Sequence, residues 1–312
     1  MKKGIVVEST GSWYIVEESD GKRTNCKLKG SFKTKGIKNT NPIAVGDNVA
    51  FEMVEEVGLI KQIFERRNYI IRKSTKLSKK HHIIASNIDQ AVIIASLFEP
   101  RTTTGFIDRF LITAEAYSVP AIIVFNKIDL YSDELLDELE RLTEIYAQAG
   151  YESIHVSAKE GTNLNMLISA LKGKNSLFSG HSGVGKSALI NAIDPSKNLK
   201  IGAISDYHSK GKHTTTNATM HKLQFGGHII DTPGIKEFGL IDFHLTELSH
   251  FFPEMRNYLG QCKFNNCKHE TEQGCKVIEA VEEGHISEER YFSYLKILND
   301  EALLDFENQF RE

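Results

Sequence analysis

The chain has 312 residues, of which 40% are hydrophobic and 25% are charged. This composition is typical of a globular protein with substantial cores, and the length fits two or three domains. The longest apolar runs, at residues 91–98 and 121–125, are too short to cross a membrane. The N-terminus has no long apolar stretch or cleavage signal, so we expect a cytoplasmic protein with no membrane partner.

The charge is distributed unevenly along the chain. Residues 1–80 contain 17 Lys and Arg against 9 Asp and Glu, whereas residues 81–312 contain 21 against 32. A basic segment of this kind favours a polyanionic partner, most simply a nucleic acid. A solvated basic surface without a partner would have the same composition.

The first seventy residues are predicted to form a small β-barrel. Short runs rich in β-branched and aromatic residues occur at GIVVES, SWYIVEE, TNCKLKG and DNVAFEMV, and Asp20-Gly21 is a hairpin signal between two of them. With the basic charge, the pattern favours an OB-fold, which presents a strand face to oligonucleotides. An SH3-like barrel used only for packing fits the same pattern.

From Ile83 onward the sequence alternates between strand and helix patterns. Buried-strand patterns occur at AVIIASL, AIIVF, SIHVSA and SLFSG, with helical patterns at residues 105–118 and 132–150. This alternation predicts a doubly wound parallel sheet. The expected domains are an OB-fold β-barrel at 1–72, a P-loop α/β domain at 73–240 and a helical domain at 241–312.

Residues 180–187, GHSGVGKS, match a phosphate-binding loop between a strand and a helix. Glycines let successive backbone N–H groups face the phosphates, and the following helix adds its positive end. In this motif Lys186 contacts the β- and γ-phosphates, and the Ser187 hydroxyl binds Mg²⁺. The residues predicted to contact nucleotide here are Gly180, His181, Ser182, Gly183, Val184, Gly185, Lys186, Ser187 and Ala188.

Two other strand ends predict that the base is guanine. Asp129, in the NKID segment, can accept hydrogen bonds from the ring N–H and the amine of guanine, a donor pair that adenine lacks. Asn126 can tie this loop to the phosphate side, Lys127 can lie along the base, and the SAK segment can donate a backbone N–H. The predicted base-side residues are Asn126, Lys127, Ile128, Asp129, Ser157, Ala158 and Lys159.

Two segments after the P-loop predict contacts to Mg²⁺ and the γ-phosphate. In DTPG, Asp231 fits a carboxylate that holds Mg²⁺, and the Gly234 N–H fits a γ-phosphate contact. In GKHTTT, Thr215 is the first choice for a residue that contacts Mg²⁺ and the γ-phosphate only while GTP is bound. Its neighbours Thr214 and Thr216 are alternatives.

The motifs occur in the order NKID, SAK, P-loop, TTT, DTPG, whereas the usual order begins with the P-loop. A doubly wound sheet tolerates such a permutation when the original termini lie close together. With the β-rich N-terminus and a C-terminal cysteine–histidine cluster, the chain resembles the RsgA (YjeQ) family of circularly permuted ribosome-assembly GTPases over almost its whole length. The resemblance implies an OB-fold, a permuted GTPase domain, a zinc-binding helical domain and a role in late maturation of the small ribosomal subunit, which would stimulate GTP hydrolysis.

The position where Ras-like GTPases carry a water-orienting glutamine is Ile235. Isoleucine cannot hydrogen-bond water, so we expect slow intrinsic turnover that a partner stimulates. His213 is the nearest candidate for a substitute, and the resemblance supports it because the family has a histidine before its TTT. A surface histidine on a mobile loop is the alternative. The residues assigned to catalysis are Lys186, His213 and Thr215.

Near the C-terminus, Cys262, Cys267, His269 and Cys275 have a spacing that predicts one structural Zn²⁺ in a closed Cys₃His site. Free buried cysteines are the alternative. Cys26 stands alone in a strand pattern and is expected in a core.

The function that these features favour is a monomeric GTPase that binds the small ribosomal subunit and its rRNA. One alternative is a permuted GTPase of large-subunit assembly. Another is an RNA-binding module in which GTP sets the conformation and hydrolysis is incidental.

Overall fold

The computed structural model describes residues 1–10, 12–28, 42–72, 82–199, 218–231 and 245–309. None of the helices in these ranges combines the length and hydropathy that crossing a membrane requires.

The N-terminal residues form a closed barrel of five strands. They are β1 (Lys2–Ser9), β2 (Tyr14–Glu17), β3 (Arg23–Leu28), β4 (Asn48–Val54) and β5 (Val57–Ile63). The strand order is β1-β2-β3-β5-β4, and β4 pairs back onto β1. Alternate side chains point inward, and Cys26 lies in the core with Val16, Phe51 and Ile60. The prediction of an OB-type barrel is confirmed.

Strand β5 was not predicted. It follows β4 through Glu55 and Glu56, and Glu55 has a left-handed φ of 56°. Glycine, asparagine and aspartate are the residues that usually signal such a turn, so a pair of glutamates gave no indication of a hairpin.

A two-stranded antiparallel sheet, β6 (Tyr69–Arg72) and β7 (His82–Ser86), follows the barrel. The buried carboxylate of Asp47 fixes it to the barrel, because Asp47 accepts hydrogen bonds from the Ser86 hydroxyl at 2.6 Å and from the Arg66 guanidinium at 2.6 and 2.7 Å.

The central sheet has the order β10-β9-β8-β11-β13-β12. Its strands are β8 (Gln90–Ala95), β9 (Ala121–Phe125), β10 (Glu152–His155), β11 (Asn175–Ser179), β12 (Thr219–Lys222) and β13 (His228–Asp231), of which only β12 is antiparallel to its neighbour β13. Among the described residues, four helices cover it: α1 (Thr104–Ala116), α2 (Asp133–Gln148), α3 (Leu164–Leu171) and α4 (Lys186–Ile193).

Both faces of this sheet are buried. On β8, Ile93 belongs to the core under α1 and α2, whereas its neighbour Ile94 belongs to the core under α3 and α4. Helices on both faces explain why these strands are continuous apolar runs. The predicted doubly wound sheet is confirmed.

The barrel and the central sheet share one hydrogen-bonded ladder. Glu8 of β1 pairs with Thr219 of β12, so eleven strands in the described part of the chain form a continuous sheet. The sequence did not predict this continuity, because the pairing joins residues far apart in the chain.

The C-terminal residues form two 3-10 segments, Leu245–Phe251 and Pro253–Tyr258, followed by α5 (Lys276–Glu282) and α6 (Glu288–Gln309). Their core includes Leu248, Phe252 and Tyr294, together with Ile112 from α1. The C-terminal helical region therefore packs directly on α1.

Candidate nucleotide site and metal centre

Four of the predicted motifs lie at the carboxyl edge of the sheet. The strands β9, β10, β11 and β13 are parallel members of one sheet, and each ends at a motif. They lead into NKID, SAK, the P-loop and Asp231, respectively. Ligands of open parallel sheets bind at this edge.

The P-loop makes two close backbone approaches that require glycine. A Cβ on Gly180 would lie 2.4 Å from the carbonyl oxygen of Ile94, and one on Gly185 would lie 2.4 Å from Nδ2 of Asn126. Both residues also have positive φ, of 150° and 97°. The loop is therefore wrapped tightly between β8 and the NKID segment, with Val184 buried beneath it.

Lys186 and Ser187 open helix α4 directly after the loop. Nζ of Lys186 donates hydrogen bonds to the carbonyl oxygens of Gly180 at 2.5 Å and His181 at 2.9 Å. Burial lowers the pKa of Lys186, and the negative charge of Asp231 acts in the opposite direction. Asp231 ends β13 in register with Phe178. Ser187 and Asp231 are both buried.

Asn126 connects three motifs through one buried side chain. Its Nδ2 donates to the carbonyl oxygen of Val184 at 3.0 Å, and its Oδ1 accepts from the backbone N–H of Ala158 at 3.1 Å. It is 1% exposed. The phosphate loop, NKID and SAK are thus held together by the two ends of one amide.

The Asp129 carboxylate is exposed but held on one side. Its Oδ1 accepts a hydrogen bond of 2.6 Å from Ser157, whose Oγ in turn accepts from the backbone N–H of Glu160 at 3.0 Å. Lys127 has a left-handed φ of 69° and donates from Nζ to the carbonyl oxygen of Glu99. Ile128 begins a 3-10 turn that ends at Leu130. Asp129 is therefore oriented and accessible, as recognition of a base requires.

Tyr131 supports the NKID segment, and the sequence reasoning missed it. Its hydroxyl donates to the carbonyl oxygen of Asn126 at 3.0 Å and accepts from the backbone N–H of Leu97 at 2.8 Å. A tyrosine two residues beyond a motif carries no pattern that could have indicated this role.

The other predicted P-loop and SAK residues occupy the same edge. Ser182 and Gly183 are exposed, Ala188 lies in the first turn of α4, and Lys159 is exposed after β10. The predicted residues His213, Thr215 and Gly234 lie outside the described residues, as do Thr214, Thr216 and Ile235.

The four predicted zinc ligands converge in the C-terminal region. The ligand atoms of Cys262, Cys267, His269 and Cys275 all lie within 4.8 Å of one another. Sγ of Cys275 lies 3.9 Å from Sγ of Cys262 and 3.3 Å from Nδ1 of His269. Sulfurs about 2.3 Å from a tetrahedral zinc ion would be about 3.8 Å apart, so the residues fit a Cys₃His site.

Two tyrosines of α6 hold the loop that carries His269 by hydrogen bonds to its backbone. The hydroxyls of Tyr291 and Tyr294 donate to the carbonyl oxygens of His269 at 2.7 Å and Lys268 at 2.6 Å. Burial raises the pKa of Cys267 to about 12 and also raises the pKa of Cys275. A bound cation would supply the positive charge that buried thiolates need.

The fold and the carboxyl-edge motifs define a P-loop GTPase with a circularly permuted sheet. Two family models match the chain: the RsgA N-terminal domain at residues 3–60 and the RsgA GTPase at residues 63–241. The chain belongs to the RsgA GTPase family, and it is a GTP hydrolase that uses GTP and Mg²⁺.

Relatives and solved structures match over almost the whole chain. The protein named small ribosomal subunit biogenesis GTPase RsgA from Christiangramia forsetii is 52% identical over 303 residues, 96% of each chain. The RsgA of Flavobacterium johnsoniae is 51% identical, over 95% of this chain and 92% of its own. The crystal structure of YjeQ from Thermotoga maritima superimposes with a TM-score of 0.80 at 36% identity, covering 96% of this chain and 98% of that one. YloQ, described as a circularly permuted GTPase, gives 0.75 at 29% identity, covering 96% and 94%.

Proposed function

We propose that this chain binds GTP and Mg²⁺ at the carboxyl edge of its sheet and hydrolyses GTP on the small ribosomal subunit during late maturation. The observation that supports the site most directly is the Asn126 amide, which bonds Val184 and Ala158 and so couples the phosphate loop to the base side. The names of the relatives, small ribosomal subunit biogenesis GTPase, support the partner.

The proposed roles within the site follow from residue chemistry. Lys186 neutralises the β- and γ-phosphates, and Asp129 accepts two hydrogen bonds from guanine. Ser187, Asp231 and Thr215 hold Mg²⁺. The Gly234 N–H contacts the γ-phosphate, and the basic barrel contacts rRNA.

The test is GTP hydrolysis by the purified chain alone, with small subunits and with large subunits. We expect slow turnover alone and strong stimulation by small subunits only. Stimulation by large subunits only would indicate the large-subunit alternative, and stimulation by neither would favour an RNA-binding module with incidental hydrolysis. The Lys186→Ala variant controls for contaminating GTPases, because it lacks the phosphate-binding cation.

We also propose that His213 orients the attacking water on the subunit, in place of the glutamine that Ile235 replaces. The support is its position before the threonines. His213→Ala should abolish subunit-stimulated turnover and leave GDP affinity unchanged. Full stimulated turnover in this variant would contradict the role.

The C-terminal cluster is proposed to hold one structural Zn²⁺ through Cys262, Cys267, His269 and Cys275. The support is the tetrahedral fit of the ligand-atom distances. Elemental analysis should find one zinc per chain.

We further propose that the chain is a monomer in the cytoplasm, with domains at 1–72, 73–240 and 241–312. The support for the division is that the inside of the barrel has a hydrophobic cluster of its own. Most of the C-terminal cluster likewise comes from residues after 241, with Ile112 of α1 packed against it. Sedimentation velocity tests the monomer, and limited proteolysis tests the boundaries.

A further inference from the structure

The first turn of α1 supports the outer side of the phosphate loop. The ring of Phe106 packs on the imidazole of His181, with the ring centroids 3.7 Å apart and the planes inclined by 31°. The Pro100 ring lies close to Gly183, such that a Cβ there would be 3.4 Å from Cδ of the proline. The connection between β8 and α1 therefore packs against the phosphate loop on the side that would otherwise be exposed to solvent.

His181 is also the residue whose carbonyl oxygen accepts a hydrogen bond from Nζ of Lys186. The same residue thus contacts Phe106 through its side chain and the phosphate-binding cation through its backbone. Because Gly180 and Gly183 flank it closely in the chain, the loop has little intrinsic stiffness of its own.

We propose that Phe106 is a positioning residue for nucleotide binding, which holds His181, and through it Lys186 and the phosphate loop, in the binding geometry. The inference rests on the proposed GTP site. Phe106 lies outside every nucleotide-binding motif. The ligand group that it would help to bind is the β-phosphate, which GTP and GDP share.

Phe106 can act in this way because it is itself fixed. The ring is partly buried against the core under α1, and the Thr103 side chain caps the helix by accepting from the Phe106 N–H at 3.3 Å. Two residues later, Asp108 is buried and bonded to Arg290 of the C-terminal region at 2.6 Å. A loop ordered in advance by a rigid neighbour loses less conformational entropy when it binds its ligand.

The test is a double-mutant cycle on the affinity for a fluorescent GDP analogue. Phe106→Ala should weaken binding about three- to tenfold, chiefly through faster release, because pre-ordering of the loop is lost. His181→Ala should weaken it to a similar extent. The double variant should bind about as well as either single variant, because both substitutions remove the same contact. Phe106→Tyr keeps the ring and should restore the affinity.

Tyr117→Ala is the matched control. Tyr117 is a partly buried aromatic residue that packs on the same core at the other end of α1. The Tyr117→Ala substitution should lower the melting temperature as Phe106→Ala does, but it should leave the affinity for GDP unchanged. An equal loss of GDP affinity in Tyr117→Ala would overturn the inference about Phe106, and so would additive losses in the double variant. Either result would leave the proposed GTP site standing. A wild-type chain that binds no GDP would overturn the proposed site and this inference together.

Discussion

Arg290 on α6 donates a hydrogen bond of 2.6 Å to Asp108 on α1, and both side chains are 2% exposed. The same guanidinium donates to Glu254 at 2.7 Å, and Asp108 also accepts from the Tyr146 hydroxyl at 3.1 Å. Burial alone would lower the pKa of Arg290, but the Asp108 and Glu254 carboxylates outweigh it and raise the pKa. A buried charge network therefore joins the sheet domain to the C-terminal region.

Replacing Arg290 by methionine should lower the free energy of unfolding by about 3–5 kcal/mol, because two buried carboxylates lose their cation. Urea unfolding measures this. Arg141→Met is the matched control, since Arg141 pairs with Glu289 between α2 and the same helix α6 but is 48% exposed. That pair should contribute no more than about 1 kcal/mol. Equal losses in the two variants would contradict the role assigned to the buried network.

Gly185→Ala should reduce GDP affinity at least about tenfold, because a methyl group would lie 2.4 Å from Asn126 Nδ2 and the backbone has a positive φ. Equilibrium binding of labelled GDP measures the loss. Gly105→Ala, in the first turn of α1, places its methyl group in open space and should leave binding unchanged. Wild-type affinity in Gly185→Ala would show that the loop can relax around the clash.

Asp129→Asn should transfer base preference from guanine to xanthine. The amide side chain of the Asp129→Asn variant would place an N–H donor opposite the amine of guanine, which is itself a donor. Xanthine instead has a carbonyl oxygen at that position, which can accept the hydrogen bond. Ser157 could still donate to the remaining oxygen, so the loop should keep its geometry. Competition between GDP and xanthosine diphosphate measures the change, and we expect a reversal of preference of at least about 100-fold. Equal loss of both nucleotides would argue against a direct contact with the base.

Removing the proposed Zn²⁺ should unfold the C-terminal region selectively. Strong chelators would leave the clustered thiols without the cation that holds them, and hydrogen exchange should rise in α5 and the first turns of α6. Cys275→Ser should lower the zinc content below one per chain, whereas Cys26→Ala, in the barrel core, should not. Unchanged exchange after complete metal loss would show that packing alone maintains the region.

Glu272 should make the stability of the loop between His269 and Cys275 depend on pH. Burial alone would raise the pKa of Glu272, but hydrogen bonds from the backbone N–H groups of Lys268, Glu270 and Thr271 lower it to about 2 from 4.5. A lowered folded-state pKa gives stability that is present above about pH 4.5 and is lost as the pH falls towards 2.

Glu272→Gln should therefore destabilise the chain by about 1–2 kcal/mol at pH 7, as expected for hydrogen bonds to a charged group. The difference from wild type should shrink below about pH 4. Glu282→Gln, exposed on α5, should show no such difference in denaturant unfolding at either pH. A constant difference across the range would indicate that the charge of Glu272 is not the cause.

The parts of the site that the sequence predicted are local. A strand, a glycine-rich turn and a helix follow one another directly at the P-loop, so their spacing specifies the geometry of the loop. The predicted zinc ligands lie within fourteen consecutive residues, from Cys262 to Cys275. In both segments, the residues that would bind the ligand and the residues that determine the backbone conformation are close together in the sequence.

The parts that were missed depend on contacts between distant residues. Arg290 and Asp108 are 182 positions apart, and charge pairing has no sequence period that could indicate a partner. Phe106 has the spacing of one more apolar position in an amphipathic helix. Its contact with His181 becomes visible only when α1 and the P-loop are placed on the sheet. Tertiary packing rather than propensity determines these relationships.

The pairing of Glu8 with Thr219 means that the barrel covers one end of β12, the edge strand of the central sheet. Unpaired edge strands are templates for aggregation. Removal of the residues that precede β6 would expose β12 at Thr219, the residue that pairs with β1. Loss of the proposed ribosome binding after such a truncation would therefore have two causes to separate, loss of the proposed RNA contacts and self-association, and point substitutions on the barrel surface would separate them.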